Sequence, residues 1–119
     1  MKRRKKVYLI MCCGWQPEIN AKKYPVKIGI SDDVHGRISQ LQTGNPYPLT
    51  YLAESRCAGS EIKNLEQALH EKFTPQLLRG EWFALTKLQI VWVRDRIFRH
   101  KNISDAVSEV FHPARFSPN

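Results

Sequence analysis

The sequence predicts a small α/β or α+β domain, with three strands in a mainly antiparallel sheet flanked by helices. Three observations lead there. The apolar periodicity changes along the chain in the order strand, strand, helix, strand, helix. The first two strands are separated by about a dozen residues, which suits an antiparallel pair with a long loop. The chain has 119 residues, 42% of them hydrophobic and 25% charged, enough for one core without disulfide staples. Disorder, collagen and coiled coil are excluded as global descriptions.

Val7–Cys13 is a short apolar run rich in strand formers, so it predicts a strand buried on both faces. Gly14–Lys23 is a polar connection containing Pro17 and Asn20. Pro25–Ile30 alternates apolar and polar residues and predicts the second strand. Ser31, Asp32 and Asp33 offer helix N-caps, and Val34, Ile38 and Leu41 follow at helical spacing, giving a helix over Asp33–Gln42 with Arg37 on its middle turn. Thr43-Gly44-Asn45-Pro46 stops it.

Leu49–Ser55 predicts the third strand. A second helix begins near Ser60, where Ile62, Leu65, Leu69 and Phe73 form an apolar stripe and Glu66 lies off it. Pro75–Gly80 reads as a loop, and Glu81–Leu85 as a compact apolar segment. Thr86 can cap a last helix from Lys87 to about His100, with Ile90, Val93 and Ile97 inward. The run Leu88–Val93 also fits a strand; length favours the helix. The organisation is then a basic tail over 1–6, one domain over 7–100 and an extension over 101–119 that ends loosely around Pro113 and Pro118.

The net charge of +8 favours polyanions, nucleic acid before acidic membrane surfaces. It has two homes. Lys2–Lys6 holds five cations, and Arg79–Lys101 holds six against Glu81 and Asp95, whereas Val7–Leu78 carries seven basic and seven acidic residues. The three cysteines, Cys12, Cys13 and Cys57, are sparse and odd in number, and no CxxC occurs. Reduced thiols in a cytoplasmic protein are expected. No stretch approaches the ~20 apolar residues that span a bilayer, so no membrane partner is expected. The apolar run behind the basic tail lacks a small-x-small cleavage pattern.

Five short motifs in order sharpen the reading. They are Lys27-Ile28-Gly29-Ile30-Ser31, then Arg37 on the next helix, Leu41–Pro46, Leu65–His70 and Gly80-Glu81-Trp82-Phe83. With Val7-Tyr8-Leu9 before them, the string resembles the GIY-YIG nuclease superfamily. It is most similar to the KIG/GEWF branch found in bacterial and phage proteins and in a fungal meiotically up-regulated protein. The resemblance covers about Val7 to Leu85.

The resemblance implies a GIY-YIG-like fold and cleavage of DNA phosphodiester bonds with one divalent metal, Mg²⁺ or Mn²⁺. Glu66 matches the metal-ligand position. Arg37 matches the arginine that contacts the scissile phosphate, where a planar guanidinium suits phosphate oxygens. Tyr8 matches the tyrosine that positions or deprotonates the attacking water. Lys27 replaces the second motif's tyrosine; it acts as a base if burial or a nearby cation favours its neutral form, and otherwise as a phosphate-binding charge. The histidine of many superfamily members would fall at Leu41, and their late asparagine has no match where Glu81-Trp82-Phe83 stands.

His70 lies one turn after Glu66 and is expected to bond Glu66 or to orient substrate. Arg94, Arg96 and Arg99 of the last helix are expected to contact DNA phosphates. Without the resemblance, Tyr8 is an ordinary core tyrosine, Arg37 and Lys27 are solvated charges, and Trp82 and Phe83 are packing residues. Two other functions fit the same chain. One is a non-catalytic DNA-binding module on this fold, the other a protein-interaction adaptor using Glu81–Leu85 and the last helix.

Overall fold

The computed structural model describes residues 4–13 and 22–112. The tail cations Lys2 and Arg3, most of the Gly14–Lys23 connection and the segment after His112 lie outside the described residues. The elements run β1 (Lys6–Cys12), β2 (Lys23–Ser31), α1 (Val34–Gln42), β3 (Leu49–Glu54) and α2 (Ile62–Lys72). A single 3-10 turn (Thr74–Gln76) leads to β4 (Leu77–Arg79), β5 (Trp82–Thr86), α3 (Lys87–Arg99) and α4 (Ile103–Phe111).

The class is α+β, as the sequence predicts, but the sheet has five antiparallel strands in the order β3-β1-β2-β5-β4, not three. The two extra strands come from stretches read as a loop and a packing segment. They are only three and five residues long, too short to show a strand period. The extension after residue 100 also folds: Asn102 caps α4 through the Asp105 N–H, and Ala106 and Val110 are buried.

Strand alternation sorts the core into two layers. Val7 and Leu9 of β1, Val26 and Ile28 of β2, and Phe83 and Leu85 of β5 face α2, α3 and α4. Tyr8 and Ile10 point the other way, into a smaller cluster with Val34, Ile38 and Leu41 of α1 and with Trp82. The unbroken apolar run of β1 thus serves both faces of a central strand.

The predicted caps hold. The Asp33 carboxylate accepts from the Gly36 N–H at 3.1 Å. Thr86 and Gln89 form a reciprocal capping box at the start of α3. Gln42 explains the Leu41–Pro46 motif. Its amide donates to the carbonyls of Asn45 and Tyr47, and its oxygen accepts from the Leu49 N–H at 2.8 Å. One side chain therefore carries the turn from α1 into β3.

Candidate functional site

The site begins where two strands part. The β2–β5 ladder runs from Lys23 opposite Thr86 to Lys27 opposite Trp82. One more bond, from the Ile28 N–H to the Glu81 carbonyl at 3.1 Å, ends it. Gly80, at φ +58°, turns the chain between β4 and β5 just before Glu81. The register thereby fixes Glu81 beside Lys27, and the two ion-pair at 2.8 Å through Lys27 Nζ and Glu81 Oε1. Lys27 is 8% exposed and its ammonium also lies 5.9 Å from the Trp82 ring centre.

Helix α2 brings two more groups to this edge. Glu66 and His70 are one turn apart and share a helix face. His70 Nε2 lies 2.8 Å from the Ile28 carbonyl oxygen. A carbonyl only accepts, so Nε2 carries a proton. The imidazole also packs on Phe83, with ring centres 5.0 Å apart. One ligand atom from each of Glu66, His70 and Glu81 lies within 4.8 Å of the others.

The electrostatics follow from this crowding. Burial first, and then the charge of Glu81, push the Glu66 carboxyl up to about 7. Burial works the same way on Glu81, but the hydrogen bond and charge of Lys27 outweigh it and hold Glu81 below its usual value. Glu66 Oε2 is shut off from solvent and has no hydrogen-bond partner. Two acceptors side by side need a shared proton or a cation between them.

Tyr8 is 1% exposed and lies across from Gly29 on β2. A Cβ on Gly29 would stand 2.6 Å from Tyr8 Oη, so the glycine of the KIG motif makes room for the tyrosine. Arg37 is exposed on α1 and lines a shallow depression with Ser31, Asp33 and Gln40, and its guanidinium donates to Gln40 Oε1 at 3.5 Å. Among the described residues no hydrogen bond or ion pair joins Tyr8 or Arg37 to Glu66, His70 or Glu81. The structure thus brings together Lys27, Glu66 and His70, and adds Glu81. Sequence reasoning quoted Glu81 inside a motif but gave it no role.

The three arginines of α3 separate. Arg94 and Arg99 are exposed and line a groove of about 770 Å³ between β3 and α3, beside Tyr51, Val91 and Phe98, although Arg99 also pairs with Asp95 and, at 3.4 Å, with Glu109. Arg96 is 8% exposed, stacks 5.1 Å over Trp92, and pairs with Asp95 and, at 3.0 Å, with Glu109 of α4. Its guanidinium joins two helices and is not offered to a ligand.

A small α+β sheet domain with carboxylates, an imidazole and a buried ammonium converging at one strand edge defines a candidate polar centre rather than an apolar ligand pocket. The chain belongs to the T5orf172 domain family, whose model matches residues 6–98. Membership suggests a nuclease-associated or DNA-binding role. No curated protein and no solved structure matches the chain. No helix among the described residues is long and apolar enough to cross a membrane.

Proposed function

We propose that the protein is a GIY-YIG-type DNA endonuclease that hydrolyses phosphodiester bonds with one divalent metal ion, Mg²⁺ or Mn²⁺. The observation that carries this reading is the Glu66–Glu81 carboxylate pair at the open edge of β2, one oxygen of it buried and unpartnered. Such a pair suits a hard divalent cation, with Glu66 the first ligand. When bound, the ion would polarise a phosphoryl oxygen and ease ionisation of the attacking water.

The protein's own residues supply the rest. Tyr8, fixed against Gly29, orients the attacking water through its hydroxyl, and the water's proton is released to solvent as its oxygen attacks phosphorus. Lys27 is paired with a carboxylate, an arrangement that suits a charged ammonium bound to phosphate and not a neutral base. Arg37, free of any carboxylate among the described residues, lies on a phosphate oxygen as negative charge builds in the transition state. Attack forms one P–O bond, the bond to the leaving sugar oxygen breaks, and that oxygen takes up a proton. Arg94 and Arg99 add sequence-independent grip on the backbone.

The test is plasmid nicking with Mg²⁺ or Mn²⁺. Glu66→Ala is expected to abolish nicking while far-UV circular dichroism stays unchanged. Salt-sensitive DNA binding by the unmutated protein without any nicking would leave a non-catalytic DNA-binding module on this fold.

A further inference from the structure

We infer that His70 and Glu81 are metal ligands together with Glu66, and that this mixed nitrogen–oxygen set selects first-row transition ions over Mg²⁺ and Ca²⁺. The inference rests on the metal-dependent reading above and names the ligands and the class of ion.

Geometry comes first. Ligands sharing one ion at about 2.0–2.2 Å lie roughly 3–4 Å apart. The donor atoms of Glu66, His70 and Glu81 all fall within 4.8 Å of one another, so small side-chain rotations close the set. His70 and Glu81 are already held by something other than a metal. His70 donates Nε2–H to the Ile28 carbonyl, so in that arrangement Nδ1 would be the ligand atom once deprotonated. A metal-bound imidazole characteristically gives its second N–H to a carbonyl or carboxylate. Glu81 Oε1 is engaged by Lys27, and Oε2 remains. Glu66 Oε2 is buried with no hydrogen-bond partner, a position that a bound cation would satisfy.

The donor chemistry then picks the ion. Mg²⁺ holds its waters and takes oxygen ligands. Imidazole suits Mn²⁺ weakly and Co²⁺, Ni²⁺ and Zn²⁺ strongly. Two carboxylates and one imidazole leave open positions for water and a phosphate oxygen.

The experiment uses the full chain with Mn²⁺, Zn²⁺ and Mg²⁺ as probes. Pulsed electron paramagnetic resonance of the Mn²⁺ complex is expected to show ¹⁴N coupling from one imidazole, lost in His70→Gln. By calorimetry, Zn²⁺ is expected to bind at least 100-fold more tightly than Mg²⁺. His70→Gln and Glu81→Gln should each weaken Zn²⁺ by 10-fold or more. His70→Gln should change Mg²⁺ affinity less than threefold, whereas a damaged fold would weaken both ions alike. Mn²⁺ bound with no ¹⁴N coupling, or Zn²⁺ and Mg²⁺ lost together in His70→Gln, would overturn the inference and leave the nuclease reading standing. Failure of every ion to bind the unmutated protein, with no metal-dependent nicking, would remove both.

Discussion

Gly29→Ala tests whether the KIG motif exists to seat Tyr8. The new Cβ would lie 2.6 Å from Tyr8 Oη, 2.7 Å from Cζ and 3.0 Å from Cε2. Comfortable contact is about 3.5–4.0 Å, so the ring must retreat by roughly an ångström. It has little room, because Tyr8 is 1% exposed and packs with Ile10 and Val34. Overpacking of this kind costs about 1–3 kcal/mol. The lost backbone freedom of glycine returns about 0.5–1 kcal/mol. The net is about 0–2.5 kcal/mol of lost stability, or up to roughly 10 °C in Tm for a chain of this size. A catalytic hydroxyl displaced by about 1 Å would lower nicking about 100-fold. Thermal melts of Gly29→Ala alone and in a Tyr8→Leu background isolate the contact, since the coupling should exceed about 1 kcal/mol. Equal cost in both backgrounds would refute the argument that the ring and the glycine are matched.

Three further outcomes follow from the same structure. Glu66 sits near 7 in the folded metal-free chain against an ordinary 4.5, so the fold binds extra protons between those values. Stability in EDTA should be fullest below about pH 4.5 on this group's account and fall as pH rises through 7, and Glu66→Gln should flatten that fall in a pH series of melts. Glu81 has the opposite sign, and its contribution fades only as pH drops through its lowered value. Arg96→Ala should cost about 1–2 kcal/mol in urea unfolding, because it removes the nearer of the two cations on the largely buried Glu109 and leaves it Arg99 alone; Arg94→Ala should stay within about 0.5 kcal/mol, and Arg94→Ala and Arg99→Ala should each reduce the salt dependence of DNA binding by about one counterion. Gln42→Ala should destabilise by about 1–2 kcal/mol through its lost loop hydrogen bonds and leave nicking of the remaining folded protein within about twofold.

Where the sequence was legible, the controlling forces were local. The apolar run of β1, the Asp33 cap and the Thr86 cap each depend on neighbours a few residues away. The missed features depend on distance along the chain. β5 becomes a strand by pairing with β2, and Glu81 gains its chemistry from Lys27, 54 positions earlier. His70 reaches back 42 positions to the Ile28 carbonyl, an orienting partner that its own helix spacing does not reveal. Arg96 was separable in principle, since it falls three residues after Val93 on the inward stripe, yet its count among the cations hid that. In α4, Ala106 and Val110 lie one turn apart on one face, a pattern overshadowed by the prolines after it.

That last helix changes how the family span should be understood. The matched region ends at residue 98, but Glu109 beyond it holds Arg96 within it, and α4 packs directly on α2, the helix carrying Glu66 and His70. A chain cut at the family boundary would expose the apolar seam that Ala106 and Val110 cover, and would loosen the scaffold under the candidate ligands. The heritable module and the thermodynamic unit therefore have different ends. Any exchange of this domain between proteins must carry a covering helix with it, or recruit one from its new neighbour.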